Sequence, residues 1–64
     1  MNTAKIFEDL KKMGIRVAYV ENVNNTIALK DQHTDDEIMK IEQYLKENEL
    51  DYKIVNPQPG EEAV

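Results

Sequence analysis

A chain of 64 residues with eight basic and thirteen acidic side chains and no cysteine forms one small domain, and it excludes a disulfide or thiolate-metal framework. Its net charge of −5 and isoelectric point near 4.7 work against non-specific binding to nucleic acid or anionic membrane. No apolar run approaches the roughly 18 residues that cross a bilayer. The charge is unevenly spread: residues 1–30 hold five basic against three acidic side chains, and residues 31–64 hold three against ten. Such asymmetry predicts an acidic surface facing a partner.

Helix one is expected over residues 3–13. Thr3 can cap it, and Ile6, Leu10 and Met13 recur at helical spacing, with Phe7 widening the stripe. Lys11 and Lys12 favour the negative end of the helix dipole, and Gly14 suits the left-handed position after a helix. Ile15 to Val20 reads as a strand. Asn24-Asn25 tolerates positive φ and makes a turn into a second strand, Thr26 to Lys30. Helix two starts at the capping box of Thr34 and Glu37 and runs to Asn48, with Asp35 and Asp36 at the positive end of its dipole. Ile38, Ile41 and Leu45 form its inner stripe. Leu50 to Val55 reads as a third strand, stopped by Pro57.

The expected fold is α/β (α+β): a two-layer sandwich in αββαβ order, with a three-stranded mixed sheet and two helices on one face. The pattern matches a ferredoxin-like unit lacking its first strand, an analogy of fold that carries no function. Residues 1–55 form the domain, and residues 56–64, Asn-Pro-Gln-Pro-Gly-Glu-Glu-Ala-Val, read as a disordered acidic tail.

Period-two alternation places Ile15, Val17 and Tyr19 on the inner sheet face, with Ile27, Leu29, Leu50, Tyr52 and Ile54. Arg16, Ala18, Val20, Ala28, Lys30, Lys53 and Val55 then fall on the open face. Ala18, Val20, Ala28 and Val55 are small or apolar enough to reward burial by a partner. Arg16, Lys30 and Lys53 would suit nucleic acid, but sheet readers of RNA stack bases on exposed aromatics, and parity puts Tyr19 and Tyr52 inside. On helix two, Asp35, Glu42 and Glu49 recur every seven residues and line one flank, partly offset by the i, i+4 pairs Asp36–Lys40 and Glu42–Lys46. Met39 stands off the core stripe and is a candidate contact.

His33 is the one histidine. Amid Asp31, Asp35 and Asp36 it could ligate a divalent metal or act as a general base, but residues of these types are ordinary in a loop entering a helix. There is no serine or cysteine nucleophile, and two glycines cannot make a phosphate loop. So small a core leaves little room for a pocket of the usual ~300 Å³. No catalytic residue, metal or cofactor is expected.

The leading expectation is a non-enzymatic, cytoplasmic protein-binding module, a regulator or inhibitor that contacts or occludes a protein partner. Its candidate contacts are Asp35, Met39, Glu42 and Glu49 on the helix and Ala18, Val20, Ala28 and Val55 on the sheet. In general character it looks like the small acidic regulators and inhibitors carried by mobile elements. Two alternatives stand beside it: an acidic decoy that mimics nucleic acid, and a structural homodimer built on the open face or an edge strand. Direct nucleic-acid binding and membrane insertion are not expected.

Overall fold

The computed structural model describes residues 2–59. The elements follow the expected order: α1 (Thr3–Lys12), β1 (Val17–Glu21), β2 (Thr26–Leu29), α2 (Asp35–Glu47) and β3 (Lys53–Val55). The strands form one mixed sheet in the order β1-β2-β3. β1 and β2 are antiparallel, whereas β2 and β3 are parallel neighbours, joined through α2. Both helices cover the same face.

Asn2, rather than Thr3, caps α1: its side chain accepts the Lys5 amide at 2.8 Å. Such a cap satisfies one of the donors orphaned at a helix start. α2 begins with the full capping box, Glu37 N–H donating to Thr34 Oγ1 at 3.2 Å and Thr34 N–H to Glu37 Oε1 at 2.9 Å.

The two helices end alike. After α1, Gly14 N–H donates to Lys11 O and Ile15 N–H to Leu10 O, both at 3.0 Å. After α2, Glu49 N–H donates to Lys46 O at 3.2 Å and Leu50 N–H to Leu45 O at 2.9 Å. This is the paired 5→2 and 6→1 bonding of a Schellman motif. It requires a left-handed residue, which is Gly14 at φ +86° in one case and Glu49 at φ +55° in the other. Leu50 is thereby committed to closing α2 and packs on the core, so β3 starts at Lys53 and not at Leu50.

The core is made of Ile6, Leu10, Ile15, Val17, Ile27, Leu29, Ile41 and Leu45, with Ile38, Tyr52 and Ile54 packed on it. Burying each large aliphatic side chain contributes about 1.5–3 kcal/mol. β1 departs from simple alternation. Val17 pairs with Leu29 but Tyr19 pairs with Ala28, so Ala18 is an extra residue, a β-bulge. Beyond it the parity reverses. Val20 pairs with Ile27 and packs against the core, while Tyr19 is 54% exposed. The expected placements of Tyr19 inside and Val20 outside are both overturned by this one residue.

Residues 60–64 of the expected tail lie outside the described residues. Its first residue, Asn56, is held in place. The Asn56 side chain accepts His33 N–H at 2.8 Å and donates to His33 O at 3.1 Å, which continues the link between β3 and the loop before α2.

Candidate functional site

The uncovered face of the sheet is the surface the fold leaves for contact. The bulge and the two registers set its composition. Tyr19 pairs with Ala28, and Ala28 with Val55. These three side chains therefore form one row across all three strands, about 10 Å from first strand to third. Its ends are open, Tyr19 at 54% and Val55 at 47%, while Ala28 between them is 7% exposed.

Two further rows flank it. On one side Glu21, Thr26 and Lys53 lie across the strands. The Glu21 carboxylate accepts Val23 N–H at 2.7 Å and Asn24 N–H at 2.9 Å, bracing the hairpin turn. The Asn24 backbone bond is the main reason its pKa lies below the ordinary glutamate value, opposed by desolvation and aided by Thr26. On the other side the ladder continues as Lys30 N–H donates to Arg16 O at 2.9 Å. Arg16 Nε reaches both carboxylate oxygens of Asp31, at 2.9 and 3.0 Å, and Nη1 lies 3.8 Å from Glu37. The Arg16 bond holds the Asp31 carboxyl below its usual range.

Both edges of the sheet are blunted. β1 carries the bulge, and β3 has three residues, one of them Lys53. Short strands, bulges and edge lysines are the devices by which sheets resist adding another strand.

The expected sheet contacts are thus redistributed. Val55 stands on the open face, Ala28 is the covered centre of the row and Ala18 is the exposed extra residue. Val20 belongs to the core side. Tyr19 is the residue that sequence parity missed; a bulge leaves no local signature in Val-Ala-Tyr-Val.

On the helical side, Asp35 and Glu42 are exposed on α2. Glu49, also exposed, lies beyond the last helical residue in left-handed backbone, so the seven-residue ridge is helical over two of its three carboxylates. Among the described residues no ion pair joins Asp36 to Lys40 or Glu42 to Lys46. Met39 is 62% exposed. With Met13, Tyr44 and the stems of Lys40, Gln43 and Glu47 it lines an open groove of about 510 Å³ on the shoulder between the helices. A second open groove, of about 390 Å³, runs between Phe7 of α1 and Val20 of β1. Both exceed the pocket volume that the chain length leads one to expect, because they are surface furrows between elements and not chambers within the core.

Below the first groove the helices are clamped. Tyr44 donates to Asp9 Oδ2 at 2.8 Å, and Lys5 Nζ lies 3.0 Å from Asp9 Oδ1. The Lys5 bond, then the Tyr44 bond, lowers the Asp9 pKa. Burial first, and the Asp9 contact second, raise that of Tyr44 from 10.0 to about 12.

His33 joins three segments of the fold. Its side chain is fully buried. Nε2 accepts Arg16 N–H at 3.1 Å, and Nδ1 lies 2.9 Å from Asp31 O. The Arg16 amide can only donate, so Nε2 is the unprotonated nitrogen and Nδ1 carries the proton to Asp31. Both ring nitrogens are thus engaged by backbone, which leaves neither aimed at solvent. Among the described residues no cluster of three His, Cys, Asp or Glu side chains could hold a metal, and no helix is long and apolar enough to cross a membrane.

A scan against protein-family models, a search of curated proteins and a search of solved structures each gave no match to this chain.

Proposed function

We propose that the chain is a non-enzymatic protein-binding module that regulates or inhibits a protein partner by contacting and occluding it, with the open sheet face as its contact surface. The observation that carries this reading is the row Tyr19–Ala28–Val55, exposed at both ends on a sheet whose other face is sealed by two helices. An apolar centre with a polar margin is the anatomy of a protein interface, and tyrosine is among the side chains that concentrate binding energy there. The buried, backbone-engaged imidazole supports a structural role for His33 over a chemical one. Edge-to-edge homodimerisation draws less support, because both edges are blunted. A cytoplasmic setting belongs to the same proposal.

The test is partner capture from the native lysate at low and high salt, with three baits: the natural chain, Tyr19→Asp and Glu42→Lys. A dominant protein that survives high salt, is lost with Tyr19→Asp and is retained by Glu42→Lys is the expected result. Loss with Glu42→Lys alone would move the contact to α2 and favour the acidic decoy.

A further inference from the structure

We propose that the partner segment taken by this face is acidic as well as apolar: a stretch of protein that sets an apolar side chain beside Tyr19 and Val55 and carboxylates beside Lys30 and Lys53. The proposal rests on the reading of the sheet face as the contact surface and names the chemistry of what it contacts.

The argument is one of local charge. The protein as a whole is acidic, at −5, yet its open sheet face is not. Lys30 lies two residues past Ala28, on the same side of the ladder, and Lys53 lies two residues before Val55. The two ammonium groups therefore bracket the apolar row from opposite sides. Both residues are exposed, and among the described residues neither forms an ion pair.

Of the acids nearest them, Glu21 and Asp31 are held by other groups, and Asp51, two residues before Lys53, is exposed. Glu21, across Thr26 from Lys53, keeps its charge, but its carboxylate is held on the Val23 and Asn24 amides. Asp31 is taken by Arg16. The remaining acids of α2 belong to the layer behind the sheet, in a body measuring 18 Å along its shortest axis, and salt of physiological strength screens over about 8 Å. A short acidic segment confined to the face meets the two lysines. A longer polyanion would overrun the face and meet the acidic remainder of the chain, so a peptide fits better than a nucleic acid.

A selection of random peptides displayed on phage, against the immobilised natural chain, tests this directly. Enriched peptides are re-measured by titration against the natural chain, Tyr19→Ser, and a Lys30→Glu, Lys53→Glu double variant. All three positions are exposed, so the variants are expected to fold, and circular dichroism melts verify it. The expected result is enrichment of Asp or Glu flanking an apolar residue, with binding lost in Tyr19→Ser and weakened about tenfold or more in the double variant. Peptides that need Tyr19 but show no acidic bias, and ignore the lysine reversals, would overturn this proposal and leave the contact surface standing. Recovery of no peptide that depends on Tyr19 would overturn both. Two further probes complete the test. Tyr19-dependent binding of an oligothymidine would replace the acidic peptide with single-stranded nucleic acid. Self-association in sedimentation, abolished by Tyr19→Ser, would replace it with a second copy of the chain.

Discussion

The two faces of the sheet share every backbone hydrogen bond and differ in almost everything else. The inner face presents Val17, Val20, Ile27, Leu29 and Ile54 to two helices. The outer face presents Tyr19 and Val55 to water on either side of the covered Ala28, between lysines. Which β1 side chain serves which face is decided by Ala18, the extra residue that lets both Val17 and Val20 reach the core. Inner positions are held by packing, so substitution there acts on stability. Outer positions are free of that duty, so substitution there acts on binding.

The contrast is broken most severely at its centre. Ile27→Ala empties a fully buried position and is expected to cost about 2–5 kcal/mol. For a domain of this size that is much of the total stability, at about 0.05–0.15 kcal/mol per residue. Urea unfolding should show a collapsed midpoint or no transition. Deleting Ala18 should by contrast leave both faces as they are, because Val17, Tyr19 and Val20 then alternate on the partners they already have, Leu29, Ala28 and Ile27. Quenching of tyrosine fluorescence by iodide should be unchanged.

At the third level stand the left-handed helix ends. Gly14→Ala should destabilise by about 1 kcal/mol through backbone strain alone, since no atom lies within 4 Å of the added methyl group. Glu49→Gly should stabilise by a similar amount of about 1 kcal/mol, read as an upward shift of the melting midpoint.

Titration should separate the two sides more gently. Glu21 and Asp31, at the margins of the outer face, have pKa values lowered in the fold. Their contribution is present above the unfolded carboxylate range, near pH ~4, and is lost as the pH falls through their folded values. Tyr44, on the helical side, is raised from 10.0 to about 12. Its contribution is intact below pH 10 and is lost as the pH rises through about 12. Melting midpoints recorded across this range should fall at both extremes, with the alkaline loss removed in Tyr44→Phe. The smallest effect on stability is expected from Tyr19→Ser, within about 0.5 kcal/mol. It should nevertheless abolish capture of the partner, and a large stability loss there would show that Tyr19 serves the core after all.

Much of this architecture was legible because its signals are local. The Thr34–Glu37 box, the apolar stripes of both helices, Gly14 and the Asn24-Asn25 turn each act within a few residues, and each fell where the residues placed it. Asn25 indeed adopts positive φ, at 50°. What escaped depends on partners far along the chain. The Arg16–Asp31 pair, the Tyr44–Asp9 clamp and the double bond between Asn56 and His33 link residues 15, 35 and 23 positions apart. No spacing rule reaches that far. The bulge is local but silent, since alanine fits a strand and a bulge equally well. It therefore misdirected the reading of Tyr19 and Val20, the two residues on which the candidate surface turns.

The direct parallel pairing of β2 with β3 has a consequence for the order of assembly. The hairpin closes over a four-residue excursion between Glu21 and Thr26, whereas Thr26 meets Lys53 only after the whole of α2 has been traversed. Loop-closure entropy weighs against the second event, and contacts distant in sequence slow folding. The hairpin and α1 are expected to form first, with β3 arriving last and the Asn56–His33 bonds fastening it. Val55, one end of the open row, comes into place in that final step. The surface proposed for the partner is thus complete only when the chain has finished folding, and a partially folded molecule would present Tyr19 without its counterpart.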